Sequence, residues 1–155
     1  MQTLRFKPMF DKLYFMLFVP ILILLIVITA LSVIEPGSLY IIIPLDLFSL
    51  YFMVAPFFGY AALGENTLFI KYGFFIKREI AYEKIRDVKL TRGFLSYSTL
   101  SLKNSFEHID IRYNAFDMTT ISVRDNDGFI QELNARRFAA VNRKNIFAGT
   151  EKEKI

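Results

Sequence analysis

Residues 13–34, LYFMLFVPILILLIVITALSVI, carry no charged side chain over 22 positions. A helix needs roughly 20 apolar residues to cross the ~30 Å hydrocarbon core of a bilayer, so this run is long enough to span one. Its length also sets it apart from a secretory signal, whose apolar region is usually about 7–15 residues and ends in a small-x-small cleavage site. No such site closes this run. The Glu35-Pro36-Gly37-Ser38 segment then combines a ring that fixes φ with a glycine free to take positive φ, as a tight connection between two helices requires. A second apolar stretch, residues 39–63, is again long enough to span and is interrupted by Pro44, Asp46 and Pro56. Residues 13–63 are therefore expected to form a transmembrane hairpin of two helices, 13–34 and 39–63.

Charge gives the hairpin a direction. Arg5, Lys7 and Lys12 precede it, Lys71, Lys77 and Arg78 follow it, and the connecting loop holds only Glu35. Basic flanks stay in the cytoplasm, so both the N-terminal segment 1–12 and the chain after the hairpin are expected there, in a multi-pass protein of the cell membrane. Asp46 is the ionisable residue inside a span, and a carboxyl in hydrocarbon is a functional candidate because its charge is costly there. It also lies roughly two turns from Ser38, near enough to the outer interface to be hydrated.

Hydrophobic residues make up 54% of the chain and mean hydropathy is +0.35, yet charged residues still make up 22%. The apolar residues must therefore be concentrated, and they are concentrated before Gly64. From Gly64 onward the chain has 16 Lys plus Arg against 12 Asp plus Glu. There is no cysteine, which removes disulfides, thiolate nucleophiles and cysteine-ligated metals. With His108 as the single histidine, a multi-histidine metal site is also out of reach. Neither an enzyme nor a metal or other cofactor is expected.

After Gly64 the pattern alternates. Residues 67–72 read as a strand with Leu68, Ile70 and Tyr72 on one face, and Gly73 breaks it. Residues 74–82 and 84–90 read as two more, the latter turning Ile85 and, past an irregularity, Val88 and Leu90 toward a core. Residues 98–102 alternate again, Lys103-Asn104-Ser105 is a hairpin-turn candidate, and 108–113 puts Ile109, Ile111 and Tyr113 inward with His108, Asp110 and Arg112 outward. Asn114-Ala115 turns the chain into a sixth strand, 116–123. A helix follows, capped by Asp125 or Asp127, with Phe129, Ile130 and Leu133 on its apolar face and Arg136 and Arg137 near its C-terminal end. Residues 139–155, ending in alternating Glu and Lys, read as a flexible C-terminal tail.

Strands followed by one closing helix is the order of a pleckstrin-homology (PH) domain. Thr99-Leu100-Ser101, Ile109-Asp110-Ile111-Arg112-Tyr113, Ile121-Ser122-Val123 and Phe129-Ile130-Gln131-Glu132-Leu133 resemble the strand and strand-to-helix motifs of the short bacterial PH-like domain family, with Val123 in place of the family's usual proline and Thr99 in place of alanine. The resemblance covers residues 68–137, and in that family two transmembrane helices usually come first. It implies an α+β membrane protein: a transmembrane hairpin, then a PH-like β-barrel or sandwich of about six to seven strands over residues 64–138 with a C-terminal helix. The family has no established enzymatic activity, and PH-like folds elsewhere bind phosphoinositides, peptides or proteins.

Lys71, Lys77, Arg78, Lys84, Arg86, Lys89 and Arg92 follow directly on the hairpin, where anionic headgroups or an acidic partner would meet them; the ordinary alternative is a solvated face balanced by Glu79, Glu83 and Asp87. Phe94, Leu95 and Tyr97 form an apolar loop that either contacts the membrane or closes the core. Nucleic acid is not an expected partner, because a small barrel uses its aromatics internally. The expected function is a membrane-anchored module that binds a protein or anionic lipid at the inner face. Expected partners are membrane lipids with a second protein or a second copy of the chain. The resemblance also extends to self-immunity proteins of bacteriocin producers, and Asp46 with the two prolines supports an accessory subunit of a transporter or membrane enzyme.

Overall fold

The computed structural model describes residues 3–34, 36–93, 98 and 101–152, and the side chains of all of these but residues 13, 36 and 144–152. The loop candidates Phe94, Leu95 and Tyr97 lie outside the described residues.

Helix α1, Lys12–Ser32, starts where the Asp11 side chain accepts a hydrogen bond from the Tyr14 N–H at 3.1 Å, satisfying one of the donors that a helix start leaves open. Its 21 residues rise about 32 Å. Helix α2, Pro36–Val54, begins on a residue with no N–H to leave unsatisfied and returns beside α1. The Tyr14 hydroxyl donates to the Met53 carbonyl at 2.6 Å at one end of the pair, and the Ser38 hydroxyl donates to the Ser32 carbonyl at 3.3 Å at the other. Apolar side chains such as Met16, Leu24, Ile41 and Phe48 ring the hairpin uncovered. Tyr14–Ser32 and Gly37–Phe58 are both long and apolar enough to cross a membrane.

The second helix is shorter than the 39–63 expected. Pro56 cannot donate an N–H to a continuing α-helix, and Ala55–Phe58 tightens into a 3-10 turn. After Gly59 the apolar Tyr60–Leu63 run is a strand, β2. It reads as more helix because it is continuously apolar, but both of its edges are occupied. Strand β1, Leu4–Phe6, pairs with one edge and β3, Thr67–Tyr72, with the other, so the N-terminal segment is part of the sheet rather than a lead-in. Strand β4, Ile76–Ala81, completes an antiparallel sheet of order β1-β2-β3-β4.

The second sheet holds β5, Ile85–Arg92; β6, Ser101–Leu102; β7, Glu107–Tyr113; and β8, Asp117–Ile121, in the order β5-β7-β8-β6. The irregularity expected after Ile85 is a register shift between Ile85 and Asp87, which returns Val88 and Leu90 to the core side opposite Ile111 and Ile109. Residues 103–105 are not a hairpin turn. Strand β6 lies parallel to β8 at the sheet's far edge, which a tight turn into β7 cannot produce. Among the described residues this makes eight strands in two four-stranded sheets, one more than the upper expectation.

Helix α3, Asn126–Lys152, closes the sheets. Asp125 accepts from the Gly128 N–H at 2.9 Å, as a capping side chain should, while Asn126 accepts from the Val123 N–H at 3.1 Å. Phe129 and Leu133 are fully buried in one core with Leu68, Ile70, Ile80, Ile109, Ile111 and Ile121. The tail expected from residue 139 is instead the continuation of α3 through Lys152. Arg136 and Arg137 are therefore mid-helix, not at its end.

Candidate functional site

One end of the two sheets abuts the base of the hairpin. Gly73, in the β3–β4 turn, has φ +69°, and a Cβ there would lie 2.6 Å from the Ala55 Cβ. Glycine is required on both counts, since an L side chain is disfavoured at that φ and would overlap the 3-10 turn. Across the molecule, the Asp11 carboxylate accepts from the Phe106 N–H, the Met9 N–H reaches the Ser122 carbonyl at 3.0 Å and Pro8 bridges to Val123. The sheets are thus tied to the start of α1 and to the end of α2. Gly73→Ala is expected to cost at least about 1–2 kcal/mol from backbone handedness alone, read as a lower denaturant midpoint in detergent. An unchanged midpoint would show that the turn and the 3-10 segment do not meet in this way.

Strand register decides which of the expected basic residues act together. Leu68, Ile70 and Tyr72 of β3 are buried, so Thr67, Phe69 and Lys71 face outward. Cross-strand pairing sets Tyr60 and Lys77 on either side of Lys71 on that outer face. Arg5, one strand over on β1, opposes Ala62 and lays its guanidinium 4.6 Å from the centroid of the Tyr60 ring, with the Lys71 ammonium 6.0 Å from the same ring. Two cations therefore share one aromatic platform at the end next to the hairpin, with Lys77 beside Lys71 on the next strand. The acidic residue of that face, Glu79, is further along and accepts from the Thr67 hydroxyl at 2.7 Å.

The other expected residues disperse. Arg78 opposes the inward-facing Ile70, and its guanidinium hydrogen-bonds the Tyr113 hydroxyl, joining the two sheets. Lys84 and Arg86 are exposed at the opposite end of the domain, where Ile85 pairs with Tyr113. Lys89 opposes Asp110 on the outside of the second sheet. Arg92 is at the hairpin end but pairs with Glu107 at 2.8 Å, whose carboxyl it holds below the usual range. Arg5 was not among the expected residues; its proximity to Lys71 exists only through the β1–β2–β3 ladder.

His108 was expected outward and exposed, but it is only 1% exposed. Its Nδ1 lies 3.1 Å from the Phe106 carbonyl and its Nε2 3.8 Å from Asp110, which also accepts from the Thr120 hydroxyl at 2.7 Å. The Lys103 ammonium donates to the Gly93 carbonyl at 2.6 Å, and desolvation lowers its pKa against the opposing pull of Asp110. Alternation sets His108 opposite the inward Ile109 and Ile111, but that pattern does not carry its burial. No group of three metal-ligating side chains occurs among the described residues.

Within the hairpin, the Thr29 hydroxyl lies 2.8 Å from the Leu25 carbonyl and also hydrogen-bonds the Asp46 carboxyl. Asp46 is ten residues, about 15 Å of rise, from the start of α2. Its side chain thus faces α1 and has a partner there.

Residues 59–137 match the family model described as Bacterial PH domain. The chain belongs to the bacterial PH domain family. The match covers just over half of the 155 residues and begins one residue before β2, where the sheet begins after the hairpin. No curated protein and no solved structure matches the chain. The PH domain as folded also takes in β1 from before the hairpin and a longer α3, so the match marks its centre rather than its whole.

Proposed function

We propose that this protein is a non-catalytic PH module anchored in the cell membrane by α1 and α2, with both flanking segments cytoplasmic, and that its Arg5–Lys71–Lys77 face binds anionic lipid headgroups. The observation that carries this reading is the height of those cations. Lys77 follows the β3–β4 turn by two residues of strand beyond Phe75, about 7 Å, and the turn itself packs on the end of α2. If the two apolar helices cross the bilayer, that distance sets the ammonium groups level with the headgroup layer. Each cation near an anionic surface is worth about 1 kcal/mol, so three together bias the domain's orientation by about 3 kcal/mol. Bacterial PH membership and a side-chain inventory without cysteine and with one buried histidine support a binding role over a catalytic one.

The test is acylation of lysines by a membrane-impermeant amine reagent on the full chain reconstituted in vesicles, read site by site by mass spectrometry. Lys71 and Lys77 are expected to be protected in anionic vesicles at low salt and to regain reactivity in neutral vesicles or at high salt, while the distal Lys84 reacts in all of them. Equal reactivity of Lys71 and Lys77 across lipids and salts would rule out the headgroup contact and assign this face to a protein partner.

A further inference from the structure

The β3–β4 turn exposes two large apolar rings, Phe74 at 42% and Phe75 at 82%, which a soluble turn has no reason to present side by side. They are not isolated. Phe74 packs on Phe58 with centroids 4.3 Å apart, and Phe75 stacks on Tyr51 at 6.0 Å. Tyr51 belongs to α2 itself, four residues and about 6 Å of rise before Ala55. The Phe75 ring therefore reaches back alongside the helix past the point where the helix ends.

Around the same level lie Phe57, stacked on Phe10 at 4.4 Å, and Tyr14, whose ring meets both. Aromatic rings gather at this depth in proteins that cross membranes, where an apolar body is shielded from water while the headgroups remain close. Lys71 and Lys77 stand just beyond the turn, so apolar and basic groups are layered in the order a leaflet presents them. Phe116 makes the contrast: it is 99% exposed, but it sits in the β7–β8 turn, next to the Tyr113–Asp117 pair at the end remote from the hairpin.

We propose that the β3–β4 turn is a membrane-inserted wedge, with the rings of Phe74 and Phe75 in the interfacial layer of the bilayer that α1 and α2 cross. The occupant of this apolar surface is lipid, because the surface is continuous with the uncovered face of α2 through Tyr51 and Phe58. The wedge gives the domain a third point of attachment beyond the two helices and prevents rotation of the sheet that carries Arg5, Lys71 and Lys77. It rests on the anchoring reading above.

The chain has no tryptophan, so each of three substitutions supplies a single fluorescent reporter. Phe75→Trp, Leu24→Trp in the middle of α1 and Phe116→Trp are compared in the full chain in phosphatidylcholine vesicles whose acyl chains carry bromine near the headgroup or near the chain end. Phe75→Trp is expected to emit at short wavelength and to lose most of its emission to the shallow bromines. Leu24→Trp is expected to be quenched most by the deep ones, and Phe116→Trp only by aqueous iodide. If Phe75→Trp and a second reporter, Phe74→Trp, both behave like Phe116→Trp while Leu24→Trp is quenched by lipid, the wedge is wrong and the anchor stands. If Leu24→Trp is untouched by brominated lipid, the anchoring reading fails and takes the wedge with it.

Discussion

Arg136→Met is expected to cost about 3 kcal/mol of stability, the upper range for losing hydrogen bonds from a charged donor to buried acceptors. Arg136 is 4% exposed on α3. Its Nη1 donates to the carbonyls of Leu63 at 2.9 Å and Gly64 at 2.6 Å, and its Nε to Glu132 at 2.7 Å. The Tyr82 hydroxyl donates to the same Gly64 carbonyl at 2.8 Å. One guanidinium therefore ties the closing helix to the β2–β3 turn and, through a shared acceptor, to the segment leading into β5. Methionine keeps much of the stem but leaves the Leu63 carbonyl without that donor and Glu132 without its partner. Arg136→Lys should recover only part of the loss, since an ammonium lacks the planar fork that serves carbonyls and carboxylate at once. Urea unfolding of the purified chain in detergent measures both. A loss under about 1 kcal/mol, the range of surface ion pairs, would show that the network does not hold the helix.

Phe129→Ala is expected to cost about 3–5 kcal/mol for a different reason, the cavity left by a large ring that the core cannot refill. Phe129 is fully buried, and its ring meets Phe6 edge-on with centroids 5.0 Å apart and planes at 88°. Phe6 is the last residue of β1, so the two rings link the N-terminal strand to the closing helix. The same substitution should therefore speed amide exchange across residues 4–6 more than in β7, whose ladder is bonded on both sides. If β1 and β7 exchange alike while stability falls, the loss is to the core as a whole and the link to β1 is not a distinct one.

These two residues also divide what could be read from the chain and what could not. Phe129 was legible, because an apolar residue with partners at Ile130 and Leu133 after a capping aspartate marks a helix face whatever it packs on. Arg136 was legible only as a cation in a helix. Its acceptors, Leu63 and Gly64, are over seventy positions away. The alternating burial of β3, the inward set Ile109, Ile111 and Tyr113 of β7 and the slip after Ile85 followed from side-chain period, a local property. Strand β1, three residues long, has too few positions for a period, and β2 is apolar throughout, so it carries no alternation to set it apart from the helix before it. The basic residues show the same division. Their abundance after the hairpin is in the sequence, but only cross-strand register separates Lys71 and Lys77, beside Arg5, from Arg78 turned inward and Arg86 at the far end.

By itself the sequence determined that two apolar spans come first, that alternating strands follow and that a helix with Phe129 and Leu133 inward closes them, because these depend on composition and on periods of two and 3.6 that any short window carries, while the PH family was legible only as a resemblance of motifs. The tertiary structure alone decided that the N-terminal strand joins the sheet, that Arg136 is a staple and that the Phe74–Phe75 turn stands against α2. Each of these is a contact between segments far apart in the chain, and no local pattern encodes which distant backbone or ring a side chain will meet.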